Sequence, residues 1–275
     1  VIFGEPSEVQ LAQTENLRLL QLTWAGADKY TRMENLPQSA VLANASGAFG
    51  TIIAEYAIGS LVALYRSFGR YWSNKQAHIW QKYDHAETIS GKTALVLGMG
   101  DIGANVARRL KAFGAAVLGV KRTAVSAVPE DFEEAHTLDA LDALLPRADI
   151  VIGCLPNTRE TAGLLTAERL HAMKAGAVLV NVGRGSLAGT DDLVSALQDG
   201  HLGGAALDVF ETEPLPADCP LWDMENVLLT PHIAGPSFGG SADVQNTIWH
   251  ICIDNLERYL TGNPLKNVVN RSEGY

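Results

Sequence analysis

Thr93-Ala94-Leu95-Val96-Leu97-Gly98-Met99-Gly100-Asp101-Ile102-Gly103 is the stretch on which the fold turns. Residues 93–97 form an uncharged apolar run of strand length, as expected of a strand covered on both faces. The glycines that follow fit G-x-G-x-x-G and lead into a helical pattern over residues 102–113. Between a strand and a helix, that spacing is the fingerprint of a dinucleotide-binding turn. Gly98 permits a tight turn, Gly100 lets backbone approach a pyrophosphate, and Gly103 lets helix and strand pack closely. Asp101 and Ile102 occupy the first turn of the helix, whose N-terminus is where the phosphates would sit.

The same alternation continues downstream. Further apolar runs lie at residues 116–120, 150–154, 178–181, 204–208 and 227–229, with helical patterns at 138–145, 167–173 and 191–198. Six apolar strands separated mostly by helices predict an α/β chain with a doubly wound parallel sheet. Upstream, Ser7 is placed to cap a helix running to about Glu15, and strands are expected at residues 17–23 and 41–43. Ile53, Ala57, Leu61, Leu64 and Phe68 recur at helical steps and predict one helix over residues 52–71. A polar, aromatic stretch with Trp72 and Trp80 follows over residues 71–88 and reads as an arm. A last helix is expected over residues 241–260, ended by Gly262-Asn263-Pro264. The chain of 275 residues therefore divides into a cofactor domain, 48–235, and a smaller domain made of 1–47 and 236–275. Its crossings near Ile52 and Pro236 are expected to act as hinges.

Composition narrows the class. A net charge of −10 offers no basic patch for nucleic acid or anionic lipid, so neither is an expected partner. The apolar runs are too short to span a bilayer. Cys154, Cys219 and Cys252 are odd in number and irregularly spaced, which reads as reduced thiols in a cytoplasmic protein, with no disulfide frame and no metal site.

The end of the second cofactor-domain strand discriminates between nicotinamide cofactors. NAD sites place a carboxylate there for the ribose hydroxyls, whereas this chain has Lys121-Arg122-Thr123. Two cations and a hydroxyl attract a 2′-phosphate, so NADP(H) is expected ahead of NAD(H). Three polar residues then follow later strands: Arg184 in Val182-Gly183-Arg184-Gly185, Glu213 in Glu211-Thr212-Glu213-Pro214, and His232 in Thr230-Pro231-His232-Ile233. Ligands of open parallel sheets bind beyond the carboxyl ends of strands. There an Arg can clamp a carboxylate with two hydrogen bonds, a His can give or take a proton, and a Glu can orient the imidazole. Those are the protein groups that a carbonyl reduction by hydride requires.

With these residues in view, nearly the whole chain resembles the D-isomer-specific 2-hydroxyacid dehydrogenase family, including its glyoxylate/hydroxypyruvate reductases. The likeness rests on residues 98–103, on Leu155-Pro156-Asn157-Thr158 with Thr161, on Asn181-Val182-Gly183-Arg184-Gly185, on residues 207–216, and on Pro231-His232-Ile233-Ala234-Gly235. It implies that Arg184, Glu213 and His232 are the catalytic residues and that a small 2-keto or 2-hydroxy acid is the substrate. It also implies that Trp24, Ala25 and Gly26 belong to the loop whose backbone amides hold the substrate carboxylate. Leu155, Pro156, Val182 and Asp208 would line the nicotinamide half of the cofactor site. The smaller domain would be flavodoxin-like with about five strands. Only two or three are legible, so roughly one βαβ unit of ~30 residues is expected ahead of Val1, which itself opens on the end of a strand. A homodimer through the helix and arm after residue 52 is implied as well. Two other readings share the fold: a dehydrogenase of another small anion, phosphite or 3-phosphoglycerate, and a non-catalytic NAD(P)-sensing corepressor.

Overall fold

The computed structural model describes residues 1–83 and 86–275, so His85 and its neighbour Asp84, inside the expected arm, lie outside the described residues. The chain separates into two compact units, Val1–Phe49 with Pro156–Thr158 and Gly235–Tyr275, and Gly50–Leu155 with Arg159–Ala234. Pro156–Thr158, which the sequence reading keeps in the larger unit, clusters with the smaller one.

The smaller unit holds β1 (Ile2–Phe3), α1 (Glu8–Ala12), β2 (Leu19–Gln21), α2 (Asp28–Thr31) and β3 (Val41–Ala43). Its three strands form a parallel sheet in the order β1-β2-β3. Ser7 caps α1 as expected, its hydroxyl accepting from the Gln10 N–H at 3.3 Å while Gln10 reaches back to the Ser7 N–H at 2.8 Å. The helix nevertheless stops at Ala12, short of Glu15. Leu20, Leu22, Tyr30, Leu36 and Leu42 make the core of this unit.

The larger unit starts with α3 (Gly50–Tyr65) and α4 (Phe68–Gln76). The single helix expected over residues 52–71 is therefore two, broken where Ser67 turns left-handed at φ 54°. Ile53, Ala57 and Leu61 are buried as their spacing requires, whereas Phe68 lies past the break and is exposed. The run continues through β4 (Thr93–Leu97), α5 (Asp101–Ala112), β5 (Ala116–Lys121), β6 (Glu134–Thr137), α6 (Leu141–Leu144), β7 (Ile150–Gly153), α7 (Ala167–Ala172), β8 (Ala177–Asn181), α8 (Thr190–Gln198), β9 (Leu202–Leu207) and β10 (Val227–Leu229). All neighbours pair in parallel, in the order β10-β9-β8-β7-β4-β5-β6. This is a doubly wound sheet of seven strands, one more than the six expected. The extra strand, Glu-Ala-His-Thr, is half-buried at the sheet edge and carries no apolar run by which to recognise it. The strand order reverses between β4 and β7, where such sheets open their ligand crevice.

The last helix, α9 (Ala242–Thr261), belongs to the smaller unit and ends at Gly262, whose φ of 72° few other residues adopt. It turns Val244, Ile248, Cys252 and Asn255 inward, and Asn255 donates to the buried Gln21 at 2.6 Å. Among the described residues no helix is long and apolar enough to cross a membrane.

Candidate active site

The glycine turn leaves β4 with Gly98 at φ 104°, its N–H bonded to the Val120 carbonyl at 2.8 Å. A side chain at Gly103 would meet the Gly98 carbonyl at 1.7 Å, so helix and turn are in contact and only glycine fits. A side chain at Gly100 would meet nothing within 4 Å. Gly100 is the N-cap of α5 and no side chain caps it. An uncapped N-terminus beside open space on a glycine turn is a cradle for an anionic group, and these residues fit a dinucleotide pyrophosphate. Asp101, which begins α5, is exposed and accepts from Asn105 at 3.2 Å. Ile102 is half-buried. Lys121 ends β5 half-buried, followed by exposed Arg122 and Thr123. Leu155 and Val182 are buried beyond β7 and β8, and Pro156 is half-buried.

Arg184, Glu213 and His232 follow the carboxyl ends of β8, β9 and β10, which are successive neighbours in the sheet. Asn181 holds the first loop, its amide donating to the Arg184 carbonyl at 2.9 Å and its oxygen accepting from the Gly183 N–H at 3.1 Å. The Arg184 guanidinium donates to the Gly183 carbonyl at 2.8 Å. A side chain at Gly185 would strike the Phe210 backbone at 1.9 Å, so the Arg184 loop interlocks with the loop that carries Glu213. Glu213 accepts from the Phe210 N–H at 3.0 Å with one oxygen and pairs with His232 Nδ1 at 2.9 Å with the other. The His232 side chain is 51% exposed, enough for Nε2 to meet a ligand.

His232 sits at φ 55°, a conformation that costs a non-glycine residue roughly 1–3 kcal/mol unless its surroundings impose it. Asp208 imposes it. Its carbonyl accepts from the His232 N–H at 2.8 Å. Its buried carboxylate accepts from Ile233 N–H at 2.8 Å, Ala234 N–H at 2.9 Å and the Thr230 hydroxyl at 2.6 Å. Asp208, expected from the sequence to lie beside the nicotinamide, is seen to fix the histidine loop. Asn181 and Thr230 are the supporting residues to which the sequence reading gave no role. Burial of a polar residue at the end of an apolar strand is the signal that singles out Asn181.

In the smaller unit, Trp24, Ala25 and Gly26 form an exposed to half-buried turn after β2. Glu5 accepts from the Trp24 N–H at 3.2 Å, and Asn44 donates to the Ala25 carbonyl at 2.7 Å. A separate pocket of about 380 Å³ opens at the amino ends of the strands of the larger unit, lined by Arg70, Glu87, Lys92, Asp149 and Glu225 among others. Its charges pair among themselves or with a neighbour: Arg70 with Glu225 at 3.0 Å, Lys92 with Glu87 at 2.7 Å, Asp149 with Lys174 at 3.0 Å. No group of acidic, His or Cys side chains suited to a metal ion occurs among the described residues.

Residues 58–234 match the family model described as D-isomer specific 2-hydroxyacid dehydrogenase, NAD binding domain. The chain is similar to glyoxylate/hydroxypyruvate reductase A of Citrobacter koseri, with 36% identity over 232 residues that cover 82% of this chain and 70% of the relative. It is similar in structure to a D-isomer specific 2-hydroxyacid dehydrogenase family protein from Aeromonas salmonicida subsp. salmonicida. The TM-score is 0.85 at 38% identity, covering 96% of this chain and 82% of that one. The NADPH-dependent glyoxylate/hydroxypyruvate reductase of Sinorhizobium meliloti, solved with NADP and sulfate, matches with a TM-score of 0.86 at 30% identity, covering 98% and 84%.

Proposed function

The chain belongs to the D-isomer specific 2-hydroxyacid dehydrogenase family, and from that premise we propose that it reduces a small 2-keto acid of the glyoxylate or hydroxypyruvate class, with NADPH as the preferred reductant. It is an NAD(P)-dependent oxidoreductase of 2-keto and D-2-hydroxy acids, the activity class of its relatives. The observation that carries the catalytic reading is the His232–Glu213 pair at 2.9 Å, beyond the carboxyl ends of the sheet that also bears the glycine cradle. We assign the larger unit to the cofactor and the smaller to the substrate.

The turn from Gly98 to Gly103 would hold the cofactor, which would supply the hydride. Glu213 holds His232 by Nδ1, so Nε2 is the atom that gives a proton to the substrate oxygen and, in oxidation, takes it back. Arg184 offers a planar guanidinium fork to the carboxylate and the carbonyl oxygen. By the family resemblance, Ala25 and Gly26, beside Trp24, would offer backbone amides to the substrate carboxylate, and Leu155, Pro156 and Val182 would supply apolar cover for the nicotinamide.

A charge-assisted hydrogen bond from Lys121 or Arg122 to a 2′-phosphate is worth about 1.5–3 kcal/mol, and solvent exposure favours the lower end. The expected result is a kcat/KM about ten- to a hundredfold higher with NADPH than with NADH. Arg122→Ala should remove most of that margin through the NADPH KM. The assay is run with glyoxylate, hydroxypyruvate and bulkier 2-keto acids at fixed ionic strength. A wild-type preference for NADH removes the 2′-phosphate contact and leaves the oxidoreductase standing. No turnover with any of these acids and either cofactor sinks the substrate class.

Assembly and location are further parts of the same proposal. Phe68, Trp72 and Trp80 are 54%, 62% and 96% exposed, an apolar display on and after α4 that a second copy would cover. A homodimer mass in sedimentation at micromolar concentration is expected, and Trp72→Lys with Trp80→Lys should shift it to monomer. A wild-type monomer refutes the dimer. Free Cys154, Cys219 and Cys252 suit a reducing cytoplasm.

A further inference from the structure

We infer that Tyr56 is a positioning residue for the proton donor, acting through Thr230 and Asp208 on the loop that holds His232. The inference rests on the assignment of His232 as the acid. The Tyr56 hydroxyl lies 2.5 Å from Thr230 Oγ1, across 174 residues of sequence. Thr230 Oγ1 in turn donates to Asp208 Oδ1 at 2.6 Å. A threonine hydroxyl has a single proton, and an ionised carboxylate has none to give. With that proton committed to Asp208, the bond between the two hydroxyls runs one way: Tyr56 donates and Thr230 accepts. Burial raises the Tyr56 hydroxyl above its ordinary range, which keeps the donor protonated in alkaline solution.

The chain of bonds therefore points from α3 toward the histidine loop. Asp208 Oδ1 divides its lone pairs between Thr230 and the Ile233 N–H, Oδ2 takes the Ala234 N–H, and the Asp208 carbonyl takes the His232 N–H. His232 is thus bracketed by anchors on both sides while sitting at φ 55°. Tyr56 comes from a long helix packed on α5 and on β8, β9 and β10. That mounting transmits the rigidity of the larger unit to a loop that is otherwise exposed from Pro231 to Ile233.

The test uses the full-length enzyme, with Tyr56→Phe, Thr230→Val, Thr230→Ser and the Tyr56→Phe/Thr230→Val pair. Each is measured for kcat, 2-keto acid KM, NADPH Kd and Tm. Tyr56→Phe should lower kcat about tenfold, equivalent to ~1.4 kcal/mol, with KM and Kd within about twofold. Thr230→Val should lose at least as much, Thr230→Ser should retain most of the activity, and the pair should fall no further than Thr230→Val alone. Such non-additivity is what residues in one hydrogen-bonded chain show and what independent packing defects do not. The inference is overturned if Tyr56→Phe keeps kcat within about twofold of wild type, if its loss and that of Thr230→Val multiply, or if the loss follows Tm and KM instead of kcat. His232→Asn, run alongside, keeps the two levels apart. Full activity in that variant removes the acid itself and the inference with it. An inactive His232→Asn beside a fully active Tyr56→Phe removes only the positioning role.

Discussion

His232→Asn should lower turnover by about 10²–10⁴, the range expected when a general acid is lost, while NADPH binds as before. Asn is the informative replacement because the backbone at position 232 is left-handed at φ 55°, and Asn tolerates that region better than most residues. The main-chain bonds to Asp208 survive the change, so the loop stays in place and the deficit reports the missing proton donor. Glu213 keeps its bond to the Phe210 N–H and is exposed enough to be solvated in place of its lost partner. Fluorescence titration with NADPH separates a chemical defect from a binding defect. Turnover within a few-fold of wild type would show that His232 only shapes the loop.

Arg184→Ala should cost about 10²–10⁴ in kcat/KM, since two charge-assisted hydrogen bonds of about 1.5–3 kcal/mol each are removed and tenfold corresponds to ~1.4 kcal/mol. The backbone there is held by the Asn181 amide, which bonds the main-chain carbonyl and is indifferent to the side chain. Arg184→Lys restores the charge without the planar fork and should recover at most about tenfold. Guanidinium added to the Ala variant should restore more activity than ammonium at equal concentration. A loss confined to the NADPH KM, with the keto-acid KM unchanged, would move Arg184 from the substrate to the cofactor.

Most of this architecture was legible as apolar runs between turn signals. The strand Thr93–Leu97 stands as expected because the interior of a parallel sheet demands an unbroken hydrophobic run, and Val227–Leu229 also stands as expected, an apolar run half-buried at the opposite edge from β6. β6 was not legible, because an edge strand of Glu, Ala, His and Thr meets no such demand. The break at Ser67 was invisible for another reason: apolar spacing continues through it, and one left-handed residue leaves no trace in periodicity. At the site, Arg184, Glu213 and His232 could be read from their places after successive strands. The contact between Tyr56 and Thr230 could not, since nothing local to either residue marks a partner 174 positions away.

The close approach of Gly185 to the Phe210 backbone has a bearing on how this enzyme can be diversified. Two loops that touch main chain to main chain behave as one heritable block. Chimaeras that take the segment around Arg184 from one parent and the segment around Glu213 from another should lose function more often than those whose crossovers leave the two together. Saturation libraries aimed at new substrates should therefore randomise both segments jointly, hold Gly185 constant, and place recombination breakpoints outside residues 181–213.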